Sequence, residues 1–191
     1  MSRSVAVVIA NDPGSGFTRP KYLETVGGRR LIDVVLADVA TWPVDEAILV
    51  LGPGAEDVLD EMADTEATVV IDPEWEEGLA ASLRVGLDVV MRGPGTDLVV
   101  VAYADQPGVT ADTVGRLILE AAGATAVVPK YRYRRGWPIV LSAKAWERLL
   151  GLEGDVDLLD VLESHPGGVV EVWFDRLERP RIKAPTDIGA R

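Results

Sequence analysis

Short apolar runs alternate along the chain with amphipathic stretches, and the two patterns predict strands and helices in turn. Continuous apolar runs predict strands at residues 4–10, 47–51, 67–71, 97–102, 125–128, 139–141 and 169–174. Apolar positions at helical spacing predict helices at residues 31–40, 55–63, 79–90, 143–150 and 157–163, and another that begins after Thr110. The alternation predicts one α/β domain over residues 1–191, with three α/β/α layers and a mixed, mainly parallel sheet.

The most continuously apolar run, residues 97–102 (DLVVVA), is typical of the centre of a parallel sheet. Ligands of such folds bind beyond the carboxyl ends of the strands. We therefore expect the functional site at the loop that follows Ala10 and the loop that follows Ala102.

The composition is that of a folded protein, with 191 residues, 48% of them hydrophobic and 26% charged. No apolar run approaches the roughly 20 residues of a membrane helix, and the N-terminus lacks a signal-peptide pattern, so we expect a cytoplasmic location. The absence of cysteine removes disulfides and thiolate metal sites, and a single histidine excludes a multi-histidine metal site. A net charge of −12 disfavours nucleic acid and membrane as partners but leaves a small anionic ligand open.

The first loop, residues 10–21 (ANDPGSGFTRPK), is rich in glycine and follows a predicted strand. Such a loop can direct backbone N–H groups at phosphates, with a lysine to meet their charge. The sequence fits neither a P-loop (GxxxxGK[ST]) nor the dinucleotide motif GxGxxG, and an ordinary structural turn is the alternative.

Two further segments are candidates for ligand contact. Asp105 directly follows the central strand, where a carboxylate is well placed to hold Mg²⁺, although a loop or helix cap is the alternative. Residues 75–84 (WEEGLAASLR) place small side chains at a helix N-terminus, where a ligand can approach unpaired backbone donors. Close packing of the helix on the sheet explains the same small residues.

The segment 130–138 (KYRYRRGWP) concentrates basic and aromatic residues. It could hold an anionic substrate, with Tyr131, Tyr133 and Trp137 stacking on a planar ring. A solvated hairpin is the alternative.

Taken together, these segments resemble the MobA-like nucleotidyltransferases, and within them the molybdenum-cofactor cytidylyltransferase branch. The first loop resembles the family's A-A-G-x-S-x-R-x-G-x-P-K, and residues 73–84 resemble P-x-W-x-x-G-x-x-x-S-L-R. Residues 104–107 resemble A-D-Q-P, residues 135–138 resemble R-G-H-P, and residues 182–188 fall where the family has I-D-T-P-E-D-L.

The resemblance implies a Rossmann-like nucleotide-diphospho-sugar transferase fold and a Mg²⁺-dependent activity. The implied reaction transfers a nucleoside monophosphate from CTP or GTP to a phosphorylated acceptor, molybdopterin in this branch, and releases pyrophosphate. A sugar-phosphate nucleotidyltransferase is one alternative. Another is a catalytically degenerate protein of the same fold that binds a molybdenum cofactor or a partner molybdoenzyme.

The resemblance also assigns roles to individual residues. Lys21 would be catalytic and hold the triphosphate, and Asp105 would be catalytic and hold the metal. The implied nucleotide-binding residues are Ala10, Asn11, Asp12, Gly14, Lys21, Gly78 and Ser82. The implied acceptor-binding residues are Arg135, Gly136, Trp137 and Pro138.

Three departures from the family pattern change charge. Asp12 stands where the loop has glycine, Gly16 where it has arginine, and Lys183 where the last motif has a metal-binding aspartate. Because the net change is zero, we predict that Lys183 is a compensating cation, in the same cleft as Asp12 and Asp105 and within ion-pair reach of one of them. Drift in a protein that no longer binds NTP is the alternative.

Overall fold

A central sheet organises the computed structural model, which describes residues 2–143, 145, 149, 151, 157–164 and 168–188. Its strands are β1 (Ser4–Ala10), β2 (Thr25–Val26), β3 (Arg29–Arg30), β4 (Glu46–Leu51), β5 (Thr68–Ile71), β6 (Leu98–Tyr103), β7 (Ala126–Tyr131), β8 (Arg134–Arg135), β9 (Ile139–Ser142) and β10 (Val169–Phe174). The helices with defined bounds are α1 (Leu31–Val39), α2 (Ala55–Glu61), α3 (Leu79–Arg92), α4 (Ala111–Leu119) and α5 (Leu158–Ser164). Short 3-10 turns cover Lys21–Leu23, Trp75–Glu77 and Pro185–Asp187.

The main sheet has the order β10-β7-β9-β6-β1-β4-β5, with β8 paired to β7. β1 is parallel to both of its neighbours, β4 and β6, whereas β9 is antiparallel to β6 and β7. β2 and β3 form a separate antiparallel pair. The sheet is therefore mixed and mainly parallel, and β6 lies at its centre, as the sequence predicts.

Both faces of the sheet are covered, and every residue of β1 and β6 is buried. Alternate residues of β1 join two different cores: Ala6 and Val8 belong to the one that includes α1 and α4, and Val5 and Val7 to the one that includes α3. α3 approaches β1 closely at Gly86, where an added Cβ would lie 2.5 Å from Cγ1 of Val7. The three predicted layers are confirmed.

The observed bounds agree with the predicted ones to within a few residues. The Thr110 hydroxyl accepts a hydrogen bond from the N–H of Thr113 at 3.3 Å and so caps α4, as predicted. The strand predicted at 125–128 continues to Tyr131, because it pairs with β8 and β10 through the basic segment. The helix predicted at 143–150 lies mostly outside the described residues. Among the helices that the structure describes, none has the length and apolarity needed to cross a membrane.

Candidate functional site

The first loop and the turn after β6 meet at the carboxyl edge of the sheet, where the sequence places the site. Lys21 begins the 3-10 turn directly after Pro20, and its side chain is fully buried. Its Nζ lies 2.6 Å from Oδ2 of Asp105 and 2.8 Å from Oδ2 of Asp12. The two residues predicted to be catalytic are therefore in direct contact.

A second cation, Arg181, completes this cluster. Its Nε donates to Oδ1 of Asp105 at 2.7 Å, and its Nη2 donates to Oδ2 at 2.9 Å. Nη2 also lies 3.6 Å from Oδ2 of Asp12, and the guanidinium stacks 3.4 Å from the ring centroid of Tyr103. We refer to Asp12, Lys21, Asp105 and Arg181 as the charge cluster.

Sequence analysis missed Arg181, although a signal was available. Arg181 immediately precedes the 182–188 motif, in which a lysine replaces the family's metal-binding aspartate. The contact joins residues 76 positions apart, so no local pattern predicts it. A second cation, two residues before Lys183, is the signal that could have pointed to Arg181.

Backbone hydrogen bonds hold the C-terminal segment, residues 175–188, against both loops. The N–H of Ile182 donates to the carbonyl of Asp105, and the N–H of Ser15 donates to the carbonyl of Lys183, each at 2.8 Å. The N–H of Lys183 donates to Oδ2 of Asp187 at 2.8 Å. This segment therefore positions Arg181 without being part of the sheet.

Asp12 shapes the first loop as well as taking part in the cluster. Its Oδ1 accepts the N–H of Gly14 at 2.8 Å, while its own N–H donates to the hydroxyl of Tyr22 at 3.1 Å. Gly14 has a φ of 73°, and an added Cβ there would lie 2.7 Å from the ring of Phe17 and 2.9 Å from Cδ of Lys21. Asp12, which stands where the family pattern has glycine, therefore stabilises the turn through its hydrogen bond to Gly14. Residue 14 itself has to be glycine.

The charge cluster is electrically balanced, with two carboxylates and two cations. Burial raises the pKa of Asp12, but the hydrogen bonds from Lys21 and Gly14 outweigh it and hold the pKa below its usual 3.8. Burial lowers the pKa of Arg181, but contact with Asp105 outweighs this effect and raises it above the ordinary value. Burial and the charge of Asp105 raise the pKa of Tyr22 well above 10.0, so this hydroxyl is neutral.

A cavity of about 540 Å³ opens beside the charge cluster. Its lining comprises Asn11, Asp12, Pro13, Gly14, Ser15, Trp75, Glu76, Gly78, Leu79, Tyr103, Arg181 and Lys183. Four of the residues predicted to bind nucleotide thus lie on its wall, and Gly78 stands at the N-terminus of α3. Ala10, in contrast, is fully buried in the sheet.

Ser82 has its hydroxyl in the interior of the protein and is fully buried. The hydroxyl donates to Oδ2 of Asp72 at 2.7 Å, and Oδ1 of the same carboxylate accepts the N–H of Glu74 at 2.9 Å. In this arrangement Ser82 fixes the turn that leads into α3 and does not line the cavity.

The predicted acceptor segment contacts the site through a tilted pair of aromatic rings. The ring of Trp137 lies 4.4 Å from that of Tyr103, between centroids, and Tyr103 in turn carries Arg181. The N–H of Trp137 donates to Oε1 of Glu178 at 2.8 Å, and Gly136 packs so closely on this carboxylate that a Cβ would lie 2.6 Å from it.

Two basic residues of the segment 130–138, Lys130 and Arg135, are held by the Glu171 carboxylate on β10. Arg135 Nε lies 2.8 Å and Lys130 Nζ 2.7 Å from Glu171, and these hydrogen bonds hold the pKa of Glu171 below its ordinary 4.5. Burial raises the pKa of Tyr131 to about 12, whereas Tyr133 is 88% exposed. Pro138 follows Trp137 and is buried.

The ion pair predicted for Lys183 is not formed. In the described part of the chain, the cations that pair with Asp12 and Asp105 are Lys21 and Arg181. Lys183 does line the same cavity, but it is exposed, whereas Arg181 is partly buried. The compensating cation at the carboxylates is therefore Arg181.

Asp105, the predicted metal ligand, is not free to bind a metal in this arrangement. Mg²⁺ prefers near-octahedral oxygen ligands at about 2.0–2.1 Å. Both oxygens of Asp105 already accept hydrogen bonds from Lys21 and Arg181. The described residues also contain no group of three acidic or histidine side chains that could hold a metal ion. The donor set present here does not fit a divalent cation.

An α/β sheet with a glycine-containing loop and a buried lysine at its carboxyl edge is an arrangement that can bind phosphorylated ligands. Residues 6–169 match the family model of the MobA-like NTP transferase domain. The chain belongs to this family.

Individual relatives resemble this chain to different extents. The bifunctional protein GlmU of Nitrobacter hamburgensis is 31% identical over 65% of this chain, which spans 28% of that relative's length. Nicotine blue oxidoreductase of Paenarthrobacter nicotinovorans is 28% identical over 72% of this chain and 70% of its own. The crystal structure of Rv0371c from Mycobacterium tuberculosis H37Rv has a TM-score of 0.87 and 28% identity, covering 97% of this chain and 95% of that one. Rv0371c has also been solved as a complex with manganese.

Proposed function

We propose that this protein transfers a nucleoside monophosphate from CTP or GTP to a phosphorylated acceptor. An acceptor phosphate oxygen attacks the α-phosphorus, the bond from that phosphorus to the bridging oxygen breaks, and pyrophosphate leaves. The observation that carries the proposal is the cavity beside the charge cluster, where the first loop, the N-terminus of α3 and Arg181 converge.

The residues around this cavity would divide the work of binding and charge neutralisation. Backbone N–H groups of the first loop and the N-terminus of α3 at Gly78 are donors suited to phosphate oxygens. Arg181 would meet the phosphates from the side of the C-terminal segment. Lys21, held between Asp12 and Asp105, would offset the negative charge of these two carboxylates. Such preorganised donors stabilise the charge that develops in the transition state.

For the acceptor we propose molybdopterin, on the strength of the resemblance to the cytidylyltransferase branch. The contact between the rings of Trp137 and Tyr103 would place residues 135–138 next to the nucleotide site. A sugar phosphate is the alternative acceptor. The resemblance and the manganese complex of Rv0371c favour a divalent metal, and Mg²⁺ is the ion that we propose. The hydrogen bonds that Asp105 already accepts do not favour a metal at that carboxylate.

A second candidate is binding without catalysis, to a molybdenum cofactor or to a molybdoenzyme. One observation favours it: Asp12, which replaces the loop glycine, takes up the ammonium of Lys21 at 2.8 Å. A triphosphate would therefore compete with two carboxylates for this lysine.

The test is release of pyrophosphate from CTP, GTP or ATP, with molybdopterin or a sugar 1-phosphate as acceptor, with and without Mg²⁺. We expect turnover with molybdopterin and a cytidine or guanosine nucleotide, and loss of turnover in Lys21→Met. Arg92→Gln, an exposed change at the far end of α3, is the control and should keep full activity.

Thermal shift separates the two candidates. A ligand at 100 Kd adds about 2.7 kcal/mol, or about 5–11 °C in Tm for a chain of this size. A shift with molybdopterin but no pyrophosphate from any pair would favour binding alone. No shift with any nucleotide or with molybdopterin, and no pyrophosphate from any pair, would contradict both the transfer reaction and binding of the cofactor.

A further inference from the structure

The phosphate charge of a nucleotide in the cavity has to be neutralised by a cation. That the ligand is a nucleotide rests on the proposed function. Family resemblance implies a metal at Asp105, yet this carboxylate is engaged by side-chain cations. Its Oδ1 contacts Nε of Arg181 at 2.7 Å, and its Oδ2 contacts both Nη2 of Arg181 and Nζ of Lys21. A divalent ion bound to either oxygen would have to displace one of these cations or share the carboxylate with it.

The second metal position of the family is also changed in charge. Lys183 stands where the resemblance places a metal-binding aspartate, and it lines the same cavity as Arg181. Both residues lie on the C-terminal segment, whose backbone is hydrogen-bonded to the first loop and to the residue that would bind the metal. Two cations therefore lie close together in this segment. Lys183 stands at the position of a metal ligand, and Arg181 contacts Asp105, where the resemblance implies the metal.

The charges that face the cavity now balance without any added ion. Among the lining residues, Asp12 and Glu76 carry two negative charges, and Arg181 and Lys183 carry two positive ones. The buried pair of Lys21 and Asp105 adds no net charge to this balance. In Arg181, Nε and Nη2 hold the carboxylate, and Nη1 makes no hydrogen bond with any residue that the structure describes. The guanidinium is therefore anchored on one side and retains a donor on the other, an arrangement suited to oxyanions.

We infer that Arg181, with Lys183 beside it, takes the place of the divalent metal in this chain, so that the polyphosphate of a nucleotide binds without Mg²⁺ or Mn²⁺. Arg181 is anchored by Asp105 and oriented by the ring of Tyr103, 3.4 Å from its centroid. Asp105 thereby changes role from metal ligand to holder of a guanidinium.

The first test measures Mn²⁺ binding without nucleotide, from the paramagnetic resonance signal of the free ion. We expect the wild-type protein to leave that signal unchanged. The double variant Arg181→Gln/Lys183→Asp frees the Asp105 carboxylate and restores an acidic residue, and we expect it to bind Mn²⁺. Binding of Mn²⁺ by the wild type, or failure of the double variant to gain binding, would overturn the inference.

The second test titrates inorganic tripolyphosphate by calorimetry, once in EDTA and once in Mg²⁺. We expect the wild type to bind in EDTA at least as tightly as in Mg²⁺, and Arg181→Gln to bind about tenfold to a hundredfold more weakly in EDTA. Arg181→Lys, which keeps the charge, should retain part of the affinity, and the exposed control Arg92→Gln should retain all of it. Circular dichroism checks that each variant is folded.

A requirement for Mg²⁺, unchanged affinity in Arg181→Gln, or no binding in either buffer would each overturn the inference. These failures are distinguishable from failure of the proposed function. Turnover of CTP or GTP that depends on Mg²⁺ would overturn the metal-free site alone. Metal-independent binding of tripolyphosphate with no turnover of any nucleotide would contradict the proposed transfer reaction but support the inference.

Discussion

Replacing Lys21 with methionine removes a fully buried ammonium that lies 2.6 Å from Asp105 and 2.8 Å from Asp12. Removing one partner of a buried ion pair typically costs about 3–5 kcal/mol, because the other charge stays buried without compensation. Here Arg181 still holds Asp105 through two hydrogen bonds, so we expect the lower end of that range, about 3 kcal/mol. For a chain of this size that is about 6–12 °C in Tm.

The assay is urea unfolding followed by tryptophan fluorescence, with Asp105→Asn and the double variant completing a cycle. If the two side chains act as a pair, the double variant loses less stability than the two single losses added together, by about 1–3 kcal/mol. Lys183→Met is the control and should change the free energy of unfolding by no more than about 0.5 kcal/mol, since that side chain is exposed. A loss below about 1 kcal/mol in Lys21→Met, or additive losses in the cycle, would refute a stabilising buried pair.

Three more predictions concern stability. Gly86→Ala should lower the free energy of unfolding by about 1–3 kcal/mol in urea, since its Cβ would lie 2.5 Å from Val7; an unchanged midpoint would contradict this packing. Thr110→Ala should cost about 1 kcal/mol by removing the cap on Thr113, and Thr110→Ser, which keeps the hydroxyl, should restore most of it. The folded-state pKa of Asp12 lies below 3.8, so its stabilisation is present above that pH and is lost as the pH falls through the folded pKa. Asp12→Asn should therefore flatten the fall in unfolding free energy from pH 5 to pH 3, and an equal slope would count against the lowered pKa.

The sequence was sufficient to predict the sheet because apolar periodicity is a local signal. The run at 4–10 is buried along its whole length, and its ends match β1. The proximity of Lys21 and Asp105 could also be predicted from the sequence, because both residues follow central strands that end at the same edge of the sheet. The short pair of β2 and β3 was missed, since two-residue strands carry no period.

Side-chain partners were harder to predict than backbone elements. The sequence shows that charges at 12 and 183 depart together from the family pattern, and it led us to predict that Lys183 pairs with Asp12 or Asp105. Which cation pairs with Asp12 depends on how residues 175–188 lie across the sheet edge, and this follows from long-range backbone hydrogen bonds that no spacing encodes. Ser82 shows the same limit, because a helix-start serine can face a ligand or, as here, the interior.

The order of the charge cluster along the chain has a consequence for biosynthesis. A chain emerges from the ribosome with its N-terminus first, and domains fold as units. Asp12, Lys21 and Asp105 are all made before α4 begins, whereas Arg181 follows β10. Until it arrives, the cluster has one cation for two carboxylates and a net charge of −1. Arg181 is therefore the last residue of the charge cluster to be synthesised, and the strands of the sheet precede it.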